Sequence, residues 1–266
     1  MYSRFTIAKK YLHYWITAYN RKGHAVHSPF VYDFIINVLL DNNKRPYYQQ
    51  IEQQRKSLLQ NKSLISVEDF GAGSGMLKTN KRRINSIAKS SLKSKKYAQL
   101  LHRIAQYYKP KTILELGTSF GITTSYLAKS NEKTTKIITL EGDPEIAEIA
   151  QKTFSELQLN NIEISVGDFN HSLPKYLVSK PVINMVFIDG NHRRLPTLDY
   201  FNQILPHTDS SSIVIFDDIH WSSEMEAAWE EIKHHPSVTL SIDLFFIGLI
   251  FFRKDFKVKQ HFNIQF

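Results

Sequence analysis

At 266 residues the chain can hold one large α/β domain plus an appendage, and 42% hydrophobic residues suffice for a sizeable core, with little room for two full domains. It contains no cysteine, which excludes disulfides, thiolate zinc sites and cysteine nucleophiles and leaves any catalysis to oxygen, nitrogen or a cofactor. The net charge of +9 is carried almost wholly by Lys78, Lys81, Arg82, Arg83, Lys89, Lys93, Lys95 and Lys96, in a stretch without an acid that reads either as a solvated face or as a grip on an anionic partner such as RNA, a phosphorylated substrate or a lipid surface.

The chain opens MYSRFTIAKKYLHYW, with charged and aromatic residues interleaved and none of the succession of a secretory signal. Its longest apolar run, residues 244–252, has nine residues where a membrane-spanning helix needs roughly 20. A cytoplasmic location with no membrane span is therefore expected. Residues 1–60 read as helical and aromatic, with Phe34, Ile35, Val38 and Leu39 at helical spacing after a break at His27-Ser28-Pro29. Tyr11, Tyr14, Trp15, Phe30 and Tyr32 are expected in a core or an interface, or else as a wall of an acceptor pocket. From residue 67 to about 94 the chain begins with Asp69-Phe70-Gly71-Ala72-Gly73-Ser74-Gly75 and turns basic and serine-rich, which predicts a loop-dominated segment. Its glycine string serves either as a lid or as a plain turn. Residues 1–96 are thus expected to form a helical extension with a basic, glycine-containing lid, and 97–266 the main domain.

From Tyr97 a helix carrying Leu100, Leu101, Ile104 and Ala105 leads to Lys109-Pro110. Short apolar runs then alternate with amphipathic stretches, predicting strands near 112–116, 136–141, 162–166, 184–188 and 212–216 and helices near 121–129, 144–157, 172–178 and 196–204. That is the βαβ pattern of a parallel sheet. Ser223 and Glu226 have capping-box spacing ahead of a helix reaching about His234. Strands at 238–243 and 246–252 follow, too close together for a crossover and hence antiparallel. The expected fold is a Rossmann-like, seven-stranded, mostly parallel sheet with an antiparallel last strand.

The first of these strands, Ile113-Leu114-Glu115-Leu116, runs into Gly117-Thr118-Ser119-Phe120-Gly121 and a helix start, where close backbone approach and exposed amides suit a polar ligand. Glu141 closes the second strand, placed for a carboxylate that receives two ribose hydroxyls, and Gly167-Asp168 closes the third, within reach of an adenine amino group. Taken singly, each acid could instead cap a helix or pair with a lysine. Asp189 ends the fourth strand and Asp217-Asp218 the fifth, so three carboxylates converge at one sheet edge and call for a cation. Oxygen ligands favour Mg²⁺ or Ca²⁺ over zinc, and nearby histidines leave Mn²⁺ or Fe²⁺ open.

The strings ILELGTSFGITTSYLA, ITLEGDPEIAEIA, VGDFNHSLP, MVFIDGNHR and SSIVIFDDIHW, in this order, resemble the class I S-adenosylmethionine-dependent methyltransferases. More narrowly they resemble the catechol-type and macrolide-sugar O-methyltransferases, over residues 97–253. The resemblance implies S-adenosyl-L-methionine as cofactor. It would be held by Glu115, Gly117, Thr118, Ser119 and Gly121, then Glu141 and Gly142, then Asp168 and Asp189. It further implies magnesium at Asp189, Asp217 and Asp218, the last standing where the family has an asparagine. His192 falls where the catechol-type enzymes carry a lysine base, and an imidazole near neutral pKa suits removal of a hydroxyl proton. His220 is an alternative base or ligand. Either histidine could equally be a loop residue bonded to backbone, and the paired aspartates could cap the helix after Trp221, itself a candidate near the pocket.

The reaction so implied is metal-assisted O-methylation of a small hydroxylated molecule, with a homodimer through the first helices implied by the resemblance alone. Three other readings remain. An RNA or protein methyltransferase would use the basic segment, although the Asn-Pro-Pro-Tyr string of exocyclic-amine methylases is missing. A non-catalytic cofactor-binding protein would share the fold. An NAD-dependent oxidoreductase would need the absent G-x-G-x-x-G string.

Overall fold

The computed structural model describes residues 1–68, 79–179 and 182–266. The Asp69–Gly75 glycine string and Lys78 lie outside the described residues. The elements, in chain order, are helix α1 (Arg4–Thr17) and helix α2 (Pro29–Phe34), which continues into a π-turn at Ile35–Leu39. Helix α3 (Pro46–Gln60), strands β1 (Leu64–Glu68) and β2 (Thr79–Arg83), and helices α4 (Ile84–Ser91) and α5 (Lys95–Tyr108) follow. Then come β3 (Thr112–Leu116), α6 (Ile122–Ala128), β4 (Lys136–Glu141), α7 (Pro144–Glu156), β5 (Ile162–Val166) and α8 (Phe169–Leu177). The last stretch holds β6 (Met185–Ile188), α9 (Arg194–Ile204), β7 (Ile213–Asp217), α10 (Ser223–His234), β8 (Leu240–Asp243), β9 (Ile247–Phe251) and β10 (Gln260–Asn263).

The chain divides into two compact units, Asn42–Ser179 and the pair Met1–Asp41 with Lys180–Phe266. In the first of these, β3, β4 and β5 pair in parallel, with Leu116 opposite Leu140 and Glu141 opposite Val166. β3 is buried from Ile113 to Leu116 and β4 from Ile137 to Leu140, the near-continuous apolar runs of a sheet covered on both faces. β5 is half exposed. Asp143 caps α7 by accepting the Ile146 N–H at 2.8 Å, with Pro144 at the first helical position.

The expectation of a loop-dominated segment does not hold where it can be seen. β1 and β2 form an antiparallel pair, and α4 buries Ile84, Ile87 and Ala88 while its serines and Lys89 face outward. The basic residues masked an amphipathic helix, because three apolar side chains at i, i+3 and i+4 are enough to seat one short helix.

In the other unit the strand order is β10-β8-β9-β7-β6. β6 and β7 are parallel, and β9 runs antiparallel to both β7 and β8, as expected from the short connection. β10 was not expected. It adds a parallel edge strand beside β8, so the sheet numbers eight strands rather than seven. Its string Gln260-His261-Phe262-Asn263 is short and polar, as suits an edge. The expected capping box does not form: Ser222, not Ser223, is the N-cap and accepts the Met225 N–H at 3.2 Å. Glu226 is drawn elsewhere. α1 rests on this unit through Tyr11 and Tyr14, which pack against Phe245 at ring separations of 5.0 and 5.3 Å, while Phe30 packs on Phe251. Trp15 and Tyr32 stay exposed.

Candidate functional site

After β3 the chain turns through Gly117 (φ +102°), Ser119 (φ +49°) and Gly121 (φ +77°) before entering α6. Gly121 is required twice over, by its left-handed backbone and by Phe154, whose ring edge would lie 2.4 Å from an added Cβ. Ser119 adopts the left-handed region without that freedom, a costly conformation of the kind that clusters at ligand-binding turns. Its amide donates to Glu141 Oε2 at 2.8 Å, and the Asp143 amide donates to Glu141 Oε1 at 3.1 Å. The Glu141 carboxyl is thereby fixed between the turn after β3 and the start of α7. Burial pushes it up to about 7, against the pull of those two amides.

Glu115 is wholly buried, and its Oε2 accepts the hydroxyls of Thr124 at 2.5 Å and Thr139 at 2.6 Å. Thr118 bonds in turn to Thr139 at 2.6 Å. This acid therefore braces the glycine turn from beneath. Gly142 follows Glu141 directly. Asp168 caps α8 by accepting the Asn170 N–H at 2.7 Å, one of the plainer roles foreseen for it, after Gly167 at φ +135° with open space where a side chain would stand. Ser91 of α4 meets Ser119 at 2.9 Å, which ties the basic segment to the turn.

In the other unit, the turn after β6 brings His192 back over Asp189, Nε2 to Oδ1 3.7 Å. Asn191 makes that turn, with φ +59°, its amide donating to Tyr200 Oη at 3.0 Å and its Oδ1 accepting from Arg193 Nε at 2.8 Å. Sequence reasoning passed over Asn191; the signal was an asparagine between Gly190 and His192, the residue type that best tolerates this conformation after glycine. Asp217, buried at the end of β7, completes a cluster in which one ligand atom each from Asp189, His192 and Asp217 lies within 4.8 Å of the others. Asp218 is not among the three. Its backbone turns left-handed at φ +52° and its amide donates to Phe246 O at 2.7 Å.

His220 is committed on both ring nitrogens, Nε2 to Asp243 Oδ2 at 2.8 Å and Nδ1 to Glu226 Oε1 at 3.0 Å, and it stacks on Phe245. Burial alone would lower its pKa, but the two carboxylates outweigh that and raise it. This imidazolium holds a structural ion network, and neither nitrogen is placed to serve as a base or a ligand. The network extends outward: Glu226 also accepts Tyr2 Oη at 2.8 Å and Lys10 Nζ at 3.0 Å, and Trp229 Nε1 donates to Asp243 at 3.1 Å.

Residues 114–219 match the family described as a methyltransferase domain. That stretch runs from β3 to the turn after β7. A catechol O-methyltransferase of Niastella koreensis is 31% identical over 142 residues, which cover 51% of this chain and 63% of that relative, so the chain spans less than two thirds of its length. A protein-L-isoaspartate O-methyltransferase of Methanococcus maripaludis is 38% identical over 58 residues, 22% of this chain and 27% of the relative. Among solved structures, an O-methyltransferase of Streptomyces achromogenes in complex with S-adenosylmethionine has a TM-score of 0.57 at 18% identity, over 82% of this chain and 96% of that one. A Podospora anserina methyltransferase bound to S-adenosylhomocysteine has a TM-score of 0.60 at 11% identity, over 96% and 98%. The resemblance to the class I S-adenosylmethionine-dependent O-methyltransferases stands, and the mostly parallel sheet with flanking helices is their fold. The matched stretch contains all of Glu115, Glu141, Asp168, Asp189, His192, Asp217 and Asp218. No helix among the described residues is long and apolar enough to cross a membrane.

Proposed function

We propose that this chain transfers a methyl group from S-adenosylmethionine to a hydroxyl of a small molecule, with a divalent cation held by Asp189, His192 and Asp217. The observation that carries the reading is Glu141. A buried carboxyl at the end of the second parallel strand, oriented by the Ser119 and Asp143 amides and pushed up to about 7, is prepared to receive a ribose diol. Hydrogen bonds from the diol would favour its ionised form and return it to an ordinary carboxylate. Gly117, Thr118, Ser119, Gly121 and Gly142 supply backbone that a ligand can approach, and Asp168 keeps one oxygen for an adenine amino group while the other caps α8. When bound, S-adenosylmethionine supplies the electrophilic methyl.

For the metal, the donor set fits a first-row divalent ion, two carboxylate oxygens and one imidazole nitrogen being hard and borderline ligands together. The imidazole shifts the choice from Mg²⁺ toward Mn²⁺ or Fe²⁺. Such a cation lowers the pKa of a hydroxyl that it binds. The residues' own work is to orient the acceptor and exclude the wrong protonation state. His192 has two roles open to it, ligand and general base, and cannot fill both with one nitrogen. Its place in the cluster with Asp189 and Asp217 supports ligation. A small hydroxylated acceptor, rather than RNA or protein, is supported by the likeness to the catechol O-methyltransferase.

The test is calorimetric titration with S-adenosylmethionine and, separately, with Mn²⁺ and Mg²⁺. Asp189→Ala should abolish metal binding and metal-dependent methylation of a catechol while holding cofactor affinity within about threefold, since the nucleoside acids are untouched. Equal loss of metal and cofactor binding would show the roles to be misassigned.

A further inference from the structure

α1 is apolar on two faces. Ile7, Tyr11, Tyr14 and Ala18 form the inner face, packed on Phe245 and Phe246. On the outer face Phe5, Leu12, Trp15 and Ile16 are 81%, 60%, 37% and 73% exposed. At 100° per residue, Phe5, Leu12 and Ile16 fall within an arc of about 40°, with Trp15 at its margin. A helix that meets only water does not need this second face.

Its charges are of one sign. Arg4 and Lys9 are exposed at either edge of the apolar arc, Arg21 and Lys22 follow, and the first acidic residue in the chain is Asp33. Lys10, by contrast, points to the other side and is spent on Glu226. Two occupants fit an apolar face: a second copy of this chain or a lipid surface. The exposed apolar area of roughly 500 Å² matches the apolar share of an interface of roughly 800 Å² per partner, so charge and not area separates the two. Self-pairing would set cations on both rims with no carboxylate to answer them. An anionic bilayer answers both features, because headgroup charge complements the rim while the aromatic and aliphatic side chains enter the acyl boundary.

We propose that α1 is a peripheral docking helix for anionic lipid surfaces, held in presentation by its inner face and by the Tyr2 and Lys10 bonds to Glu226. The helix lies in the interface plane with Phe5, Leu12 and Ile16 inserted and Arg4 and Lys9 at headgroup level.

The test is co-sedimentation of the full chain with vesicles of phosphatidylcholine alone and with roughly one third phosphatidylglycerol. Binding is expected to the anionic vesicles only, weakening as salt is added. Leu12→Ser with Ile16→Ser should reduce it more than tenfold without altering the melting temperature, since both side chains are already in water. Arg4→Gln with Lys9→Gln should reduce it about 25-fold, at about fivefold per cation. Equal binding to neutral and anionic vesicles, or no sedimentation with either, overturns the proposal. So does a dimer in light scattering that the Leu12 and Ile16 substitutions dissociate, because that outcome assigns the face to a second copy.

Discussion

Replacing Glu141 by glutamine should stabilise the protein at alkaline pH while weakening its cofactor site. The free carboxyl ordinarily titrates at 4.5, and burial in the fold pushes it up to about 7. Between those values the native state binds more protons than the unfolded chain, so this group's contribution to stability falls as pH rises through that window. At 1.36 kcal/mol per pH unit the loss by pH 8 is about 3 kcal/mol. Glutamine is neutral throughout and escapes it. Its single carbonyl oxygen can keep only one of the Ser119 and Asp143 amide bonds, which returns about 1 kcal/mol. Glu141→Gln is therefore expected to be about 2 kcal/mol more stable than wild type at pH 8 and no more stable at pH 5, read by urea denaturation at both. In calorimetry the same variant should bind S-adenosylmethionine about 30-fold more weakly, as two charge-assisted bonds to the diol are lost. Wild-type affinity should also fall as pH drops below 7. If the variant is equally destabilised at pH 5 and pH 8, Glu141 is an ordinary carboxylate and the reasoning fails.

Two further outcomes follow from the geometry. His220→Gln leaves Asp243 and Glu226 without their shared cation and should cost about 3 kcal/mol at pH 6. The His220 pKa is raised, so its stabilisation is complete below 6.5 and disappears as pH rises through the folded value; the gap between variant and wild type should narrow by pH 9, and a pH-independent gap would refute the charged pairing. Gly121→Ala combines a left-handed backbone with a Cβ 2.4 Å from the Phe154 ring and should lower stability by about 3 kcal/mol in thermal melts, with loss of cofactor binding; a neutral effect would mean that the turn relaxes freely.

The strand-end acids were legible because parallel strands announce themselves as buried apolar runs, and the residue that follows each run must lie at the carboxyl edge of the sheet. That logic located Glu141, Asp168, Asp189 and Asp217 without any knowledge of side-chain direction. It could not separate neighbours. Asp217 and Asp218 are equivalent in a one-dimensional reading, yet a left-handed backbone at Asp218 leaves only Asp217 in the cluster with His192. β2 and β10 were hidden for a different reason, since the strings Thr79–Arg83 and Gln260–Asn263 are short and polar and carry little of the apolar periodicity that sequence reading detects.

The two histidines show where local reading ends. His192 and His220 each stand three residues after an aspartate at a strand end, and only the family resemblance, not their local spacing, ranks one above the other. Their fates are set by elements farther along the chain. β8 supplies Asp243 and α10 supplies Glu226 to His220, closing both its nitrogens in an ion network that binds α1 through Tyr2 and Lys10. Among the described residues, His192 lies over Asp189 of its own turn and beside Asp217 at the buried end of β7. The imidazole with the larger ion network is thereby the structural one, and the other is the one on which chemistry is to be sought.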